Sequence, residues 1–366
     1  MSLPKKTLLC LLVLLLARPV VAQDRPPSTE SATKIDSLGA WEPLGPMPVD
    51  QAGAGRRGYV LPGESAEVTA PGAGEFSLHT VAANNFFREQ TNNFLITQRY
   101  ETHTLALGYR RGFKVGNFPR FELGAQIQLN ESDSGFMNGF ILGFEDLWTS
   151  VTGQASAKNQ LRTNVATLPP LGTVIIKDGR PLYQEPGDGS GFGDFSFVAK
   201  ALLRDGDVSS GSPRVAARVA LNVSGKSEFT EGNFAGFGLS VDKKLSRLVA
   251  FHGDVRTTLF LDRVSQWNLP LRRASVAFSA GPELKLTRNS SFSLQIDGGT
   301  TPYLPTGTRA FDKAYGDITF GVGHRFRAGR RSIVTQIYGR ENMDLPFLVR
   351  WNTDPDFSIG IKATIH

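Results

Sequence analysis

The dominant pattern from Glu75 to the C-terminus is an alternation of apolar and polar residues at every second position. In the clearest segment, apolar residues from Phe121 to Leu129 stand between polar or small ones. A period of two puts such residues on one face of a β-strand, because successive side chains point to opposite faces. The sequence therefore predicts an all-β fold. The same alternation recurs in 195–203, 215–223, 249–261, 274–286, 292–296, 318–326 and 357–365.

These segments are roughly 9 to 15 residues long, and a tilted strand needs about 9 to 11 to cross a bilayer. Their connections alternate in length, which is typical of outer-membrane barrels. We predict a closed antiparallel transmembrane β-barrel over 75–366, with twelve strands counted from one near 92–99 and fourteen as the alternative. Residues 75–84 also alternate, and the pattern leaves open whether they lie in the wall or in the lumen. The short links are at Asn117, 244–247, 288–290 and 328–331, and the long ones are at 224–232, 263–271, 303–313 and 341–355.

The longest connection, 130–192, is predicted to be a structured extracellular loop. Aromatic residues recur in it at helical spacing, and Asp178-Gly179 predicts a small hairpin over 174–183. A loop of this length with structure of its own is usually functional or folded over the pore. An ordered cap that only completes the core is the alternative. The aromatic residues are Phe136, Phe140, Phe144 and Trp148.

A soluble β-sandwich alternates as well, because each of its sheets buries one face. The barrel is favoured by the strand length, by an export signal and by alternation that reaches the last residues. Such a C-terminal strand is what the barrel assembly machinery engages, although the chain ends Ile365-His366 without the usual terminal aromatic residue. We expect outer-membrane lipid and that machinery as partners.

The first 22 residues have the three-part pattern of a cleaved secretory signal peptide. Lys5 and Lys6 precede an apolar stretch from Leu8 to Ala17, and small Ala22 precedes the predicted cleavage site. Cleavage would remove Cys10, the single cysteine, and would lower the formal charge from +6 to +3. The mature chain would then have no disulfide, and its charge gives no support for nucleic-acid binding. The location predicted is the outer membrane of a Gram-negative cell.

Residues 23–74 are rich in Pro, Gly and small polar residues and have no sustained period. They are predicted to be a periplasmic leader or a partial plug. The mean hydropathy of the whole chain is −0.17, and no apolar run near 20 residues lies outside the first 22, which excludes a polytopic helical membrane protein.

If the apolar series faces lipid, charged residues of both signs face the lumen. They predict ion pairs across the interior, and a solid, salt-bridged lumen is the alternative to a pore. The lumen-facing candidates are Glu122, Arg214, Arg218, His252, Asp254, Arg256, Glu283, Lys285, Asp297, Asp317, Arg325 and Lys362.

The sequence contains no enzyme motif with the residue spacing that its chemistry requires. Gly225-Lys226-Ser227 lacks the earlier glycine of a phosphate-binding loop, and neither a His-Glu-x-x-His nor a Gly-x-Ser-x-Gly motif occurs. His324 is expected on the lipid face, but no serine can be assigned to it from sequence. We expect no catalytic residue, metal or cofactor.

Three segments carry a family resemblance: Arg350-Trp351-Asn352-Thr353-Asp354-Pro355-Asp356-Phe357-Ser358-Ile359-Gly360, Glu341-Asn342, and the strand entry 193–197. The chain resembles an uncharacterised family of bacterial exported proteins, a domain-of-unknown-function family taken to be outer-membrane barrels. The resemblance implies a compartment and no activity. A loop site at Arg350, Trp351 and Asp354 is a further prediction.

Together these features predict a non-enzymatic outer-membrane barrel that passes or binds a small, moderately apolar compound. Two alternatives stay open: a structural or assembly component whose residues 23–74 bind a periplasmic partner, and a lipid-modifying enzyme. The pattern fixes neither the ligand nor the oligomeric state.

Overall fold

Antiparallel β-strands make up most of the described structure. The computed structural model describes residues 42–48, 62–116, 118–133, single positions between 135 and 150, 171–185, 187–206, 212–224, 232–328, 331–342 and 357–366. A four-residue helix, α1, covers Arg309–Asp312. The strands are β1 (Gly74–Gln90), β2 (Phe94–Val115), β3 (Phe118–Asp133), β4 (Gly172–Lys177), β5 (Arg180–Glu185), β6 (Gly189–Arg204), β7 (Arg214–Val223), β8 (Phe234–Lys244), β9 (Val249–Phe260), β10 (Ala274–Lys285), β11 (Ser290–Gly299), β12 (Tyr315–Ala328), β13 (Arg331–Asn342) and β14 (Phe357–Ile365).

Twelve of these strands form a closed barrel. Each pairs with its neighbours in chain order, except that β6 follows β3 directly. The ring closes because β1 pairs with β14 on one side, from Phe76 opposite Ile365 to Asn84 opposite Phe357, and with β2 on the other. The predicted twelve-stranded antiparallel barrel is confirmed, and the alternative of fourteen wall strands is wrong.

The first two wall strands have other bounds than the sequence predicted. Residues 75–84 belong to wall strand β1, and the strand predicted near 92–99 is the first part of the 22-residue β2. Alternation fails as a guide there because β2 from Phe94 to Thr102 is buried on both faces. The remaining strands, β4 and β5, form the hairpin predicted around Asp178-Gly179, and β4 pairs with residues 94–99 of β2.

The two ends of the barrel have different connections. At one end, the turn end, short links join β2 to β3, β8 to β9, β10 to β11 and β12 to β13. At the other end, the loop end, the links include 261–273 and 300–314. The N-terminal end of β1 and the C-terminal end of β14 both lie at the turn end, because Phe76 stands opposite Ile365.

The outward faces of the strands carry the exposed apolar residues. Phe237 is 51 % exposed and Val255 is 55 % exposed, whereas inward Ser240 and Asp254 are buried. A soluble sheet would bury its apolar face, so this inverted distribution belongs to a barrel whose outer face meets lipid. No helix within the described residues is long and apolar enough to cross a membrane.

The long loop is shorter than expected, because β3 runs to Asp133 and β6 begins at Gly189. The helix predicted in the loop is not supported. The four aromatic residues that suggested it, Phe136, Phe140, Phe144 and Trp148, lie outside the described residues, as does the signal peptide, 1–22.

Candidate functional site

The charged residues predicted to face the lumen lie on the face opposite to the exposed apolar series. Eight of the twelve are buried: Glu122, Arg218, His252, Asp254, Arg256, Glu283, Asp297 and Asp317. The other four, Arg214, Lys285, Arg325 and Lys362, are half-buried. Buried charges on an inward face require partners, because an unpaired buried charge is costly.

Two stretches of the N-terminal region supply many of those partners from inside the barrel. We call residues 42–48 the first plug segment and residues 62–73 the second plug segment. Both contact inward side chains of the wall strands, so the lumen is occupied by the protein's own chain. Sequence patterning could not find these contacts, since neither segment has a period.

The first plug segment is held chiefly by Glu283 of β10. Its carboxylate accepts hydrogen bonds from the backbone N–H groups of Leu44, at 2.8 Å, and Gly45, at 3.1 Å. Gln336 of β13 donates to the carbonyl oxygens of Gly45 and Pro46 at 3.2 and 3.3 Å. These bonds satisfy an irregular backbone that pairs with no strand.

The second plug segment is held by a cluster of cations around Glu64. Arg110 binds both carboxylate oxygens of Glu64, at 2.7 and 2.9 Å, in the bidentate geometry that suits a guanidinium and a carboxylate. Arg218 Nη1 lies 2.9 Å from Oε1, and Lys200 Nζ lies 3.3 Å from Oε2. Glu122 accepts from Arg110 at 2.9 Å and from the backbone N–H of the plug residue Thr69 at 2.7 Å.

The strand register assembles this cluster. Glu122 of β3 stands opposite Lys200 of β6, and Lys200 stands opposite Arg218 of β7. Gly238 of β8 is opposite Arg218, and a Cβ there would lie 2.5 Å from Arg218 Nε. The alternation of each strand therefore predicts an inward charge, but only the register brings the charges together.

The carboxyl group of Glu64 is strongly biased towards its charged form. Burial acts to raise its pKa, but Arg110, Arg218 and Lys200 outweigh burial and hold the pKa well below the ordinary value of 4.5. The nearby plug residue Glu67 behaves in the opposite way, since desolvation and the charge of Glu42 raise its pKa above 4.5. The two glutamates of the second plug segment thus respond differently to acid.

His252 of β9 connects the two plug segments. Its Nδ1 lies 2.7 Å from Asp242 and its Nε2 lies 2.8 Å from Glu283. Asp242 in turn accepts from Ser65 Oγ at 2.6 Å and from the backbone N–H of Ala66 at 2.7 Å. An imidazole between two carboxylates donates from both nitrogens and is then positively charged. This cation allows two anions, one for each plug segment, to stand side by side.

Further ion pairs fill the middle of the lumen. Arg218 and Arg256 lie 3.3 and 3.0 Å from Asp254, and Arg340 pairs with Asp317. Opposite charges on the same strand, on adjacent strands and on strands two apart therefore neutralise one another. Among the described residues, the lumen has no wall of a single sign.

A cavity of about 450 Å³ lies between the plug segments and the wall. Its lining combines charged groups with apolar ones. Among the lining residues are Arg110, Lys200, Arg218, Phe234, Val334 and Lys362. Such a volume and mixture suit one small amphipathic molecule.

The loop end contains an apolar cluster. The link 261–273, the link 300–314, the β4–β5 hairpin and the start of β2 meet there. The ring of Trp267 lies 5.8 Å from that of Phe311 and 6.1 Å from that of Tyr183. The buried members are Phe94, Ile96, Ile175, Trp267, Leu269, Leu271, Tyr303 and Phe311.

This cluster was missed from the sequence, although its aromatic residues stand in links predicted to be long. The residues predicted for a loop site, Phe136, Phe140, Phe144, Trp148, Arg350, Trp351 and Asp354, lie outside the described residues.

Two groups of side chains on the outward face have the residue types of a catalytic pair and of a metal site. Ser290 Oγ lies 2.8 Å from His324 Nδ1, a pairing that the sequence alone did not reveal. A triad would also need an acid to orient the imidazole, and His324 has none among the described residues. Glu101, His103 and Asp133 have ligand atoms within 4.8 Å of one another, but Glu101 already accepts the backbone N–H of Met137.

The fold is similar to that of solved outer-membrane barrels. An outer membrane channel from Pseudomonas putida F1 superposes with a TM-score of 0.50 at 10 % identity, covering 82 % of this chain and 98 % of that one. A FadL homologue from Pseudomonas aeruginosa gives 0.36 at 12 % identity, with 89 % and 98 % covered. The NanC porin gives 0.39 at 7 % identity, with 80 % and 98 % covered. The chain has the fold of an outer-membrane β-barrel.

No protein-family model matches the chain, and no curated protein sequence matches it. The uncharacterised family that 350–360 resembles is therefore not identified by any model.

Proposed function

We propose that this protein is a gated, non-enzymatic outer-membrane channel that passes or binds a small, moderately apolar compound. One observation carries the proposal: the lumen of a closed twelve-stranded barrel is filled by two plug segments that polar contacts hold in place. The similar barrel from Pseudomonas putida is itself an outer membrane channel by name, which agrees with the proposal.

The nature of the contacts favours a plug that can move. A permanent core would bury apolar side chains, yet both segments are anchored mainly through Glu64, Asp242 and Glu283. The apolar contacts of the plug are small clusters: Met47 lies against Val81 and Tyr338 in one, and Ala66 and Val68 lie in another with Leu202 and Ala216. Ion pairs and hydrogen bonds can be exchanged at a small net cost when each buried group receives a new partner of the same kind.

Two other functions are less well supported. A periplasmic partner would need the leader, but its described parts, 42–48 and 62–73, are engaged with the wall. A lipid-modifying enzyme would need more than the contact between Ser290 and His324.

Single-channel recording in a planar bilayer tests the proposal. Replacing both plug anchors, Asp242→Asn with Glu283→Gln, should weaken both segments at once and raise the open probability at least tenfold above the wild-type level. Asp262→Asn is the matched control, because Asp262 lies at the loop end and accepts from Asn233. A solute-tight, electrically silent barrel in both the wild type and the double variant would contradict the channel.

A further inference from the structure

The cation cluster that holds Glu64 has the properties of a ligand site. Its three cations come from three wall strands, whereas the carboxylate that they bind comes from the plug. The side chains of Lys200 and Arg218 are 2 % and 1 % exposed, so the site is built into the wall and sheltered from solvent. Within this site, Glu64 takes the place that the carboxylate of a ligand would take.

The charge balance shows what must happen when the plug leaves. Without Glu64, Arg110 and Lys200 keep the wall carboxylate Glu122, and Arg218 keeps Asp254, which it shares with Arg256. The nearby wall residues Glu75 and Lys362 add one charge of each sign. Removing Glu64 would leave an excess of buried positive charge, which is costly unless another anion replaces it. A plug held in this way leaves most readily by exchange with an anion.

The cavity shows where such an anion would enter and what it would look like. Glu64, Arg110, Lys200 and Arg218 all line the 450 Å³ cavity, so a molecule inside it reaches the cations without crossing the wall. Apolar side chains line the same cavity, among them Leu44, Val68, Phe234 and Val334. A carboxylate with a compact apolar body satisfies both parts of this lining.

We propose that Arg110, Lys200 and Arg218 form a binding site for a small organic carboxylate, which displaces Glu64 and thereby releases the second plug segment. The inference rests on the proposed function and names its substrate class: the moderately apolar compound carries a carboxylate. Glu64 is the internal competitor of that compound.

Equilibrium dialysis of the detergent-solubilised full chain with benzoate tests the site without reference to conduction. Glu64→Gln removes the competing charge but keeps the shape, so benzoate should bind this variant at least tenfold more tightly than it binds the wild type. The neutral benzamide should not distinguish the two proteins, and acetate should bind more weakly than benzoate. Asp205→Asn, with the same change of charge at the turn end, should bind benzoate as the wild type does.

The same benzoate, added to wild-type channels in place of an equal concentration of chloride, should raise the open probability several-fold. Glu64→Gln should start from a higher open probability and should not respond. Equal benzoate affinities of Glu64→Gln and the wild type would overturn the carboxylate site. A second outcome would separate the two proposals. If the Asp242→Asn, Glu283→Gln variant conducts but benzoate does not change the open probability of wild-type channels, the carboxylate inference is wrong and the channel proposal is retained. Tight benzoate binding by Glu64→Gln with every barrel silent would retain the site and refute the channel.

Discussion

His252 allows the anchors of both plug segments to coexist, because its ring separates two carboxylates that would otherwise repel each other. Replacing it with alanine leaves Asp242 and Glu283 buried without their cation. Removal of one partner from a buried ion pair typically costs roughly 3–5 kcal/mol. We expect His252→Ala to lower the free energy of unfolding in urea by about that amount and to increase the conductance.

The control for this prediction is His324→Ala, since His324 lies on the outward face and contacts Ser290 and Phe326. It should change the conductance little. Equal effects of the two substitutions would show that His252 has no special role in holding the plug.

Glu64 and Glu67 give the plug a two-part response to acid. A glutamate with a raised pKa is destabilising at neutral pH, so protonation of Glu67 should tighten the plug as the pH falls towards 4.5. Glu64 has a lowered pKa, so its contribution is complete above 4.5 and is lost only as the pH falls through its depressed pKa.

The open probability should therefore decrease slightly from pH 7 to about 4.5 and rise sharply below that range. Glu67→Gln should abolish the initial decrease, and Glu64→Gln should abolish the rise. The open probability could instead rise steadily from pH 7 downwards in the wild type and in both variants. That result would show that other groups control the plug.

At the scale of the strands, the outward residues should report the depth of the bilayer. Val255 lies in the middle of β9 and Leu261 follows its end, and they are almost equally exposed, at 55 % and 58 %. A lysine at the midplane of a barrel costs about 2–4 kcal/mol, and near the interface about 0–1. Urea unfolding in lipid vesicles should show that Val255→Lys is clearly more destabilising than Leu261→Lys. The reverse order would place the bilayer elsewhere.

The loop-end elements should depend on Trp267, which joins the link 261–273 to α1 and the β4–β5 hairpin. Truncation of a buried tryptophan to alanine typically costs roughly 3–5 kcal/mol. Trp267→Ala should make the hairpin sensitive to trypsin at Lys177, which stands in its turn before Asp178-Gly179. Leu304→Ala, at a residue that is 43 % exposed, should leave cleavage slow. Equal cleavage rates would mean that the cluster does not hold the hairpin.

The β-strands show which elements could be predicted from the alternation of the sequence. Alternation predicted eight wall strands, β3, β6, β7, β9 to β12 and β14, because one face of each meets lipid and the other meets charge. The wall strands β8 and β13 followed only from the links on either side of them. Alternation failed for residues 94–102, where both faces are buried, and so it divided β2 and left β1 unassigned. It also could not place 42–48 and 62–73, whose order comes from distant partners such as Glu283 and Asp242.

Twelve charges of the lumen followed from the sequence, but their pairing did not. Glu122, Lys200 and Arg218 are adjacent only because β3, β6 and β7 are in a particular register, and β6 follows a long connection. Lys200 and Arg110 were not among the predicted lumen residues, although both stand at inward positions of alternating strands.

For the whole molecule, the central claim is that the plug segments and not the wall control the lumen. The outer membrane as location, the cleaved signal peptide and the barrel assembly machinery as partner stay predictions. The claim about the plug can be tested without them, because one position lies close enough to the wall for a covalent tether. A Cβ at Gly63 would lie 3.2 Å from Cβ of Ser279, slightly below the usual range for a disulfide of about 3.5–4.5 Å.

The most direct measurement is single-channel conductance of a protein with Gly63→Cys and Ser279→Cys, made in the Asp242→Asn, Glu283→Gln background with Cys10→Ser. Oxidation should tether the second plug segment and close the channel, and dithiothreitol should restore the conductance. The same protein with serine kept at position 279 should ignore both reagents. Equal conductance in the oxidised and reduced states, with the disulfide shown to have formed, would contradict the account.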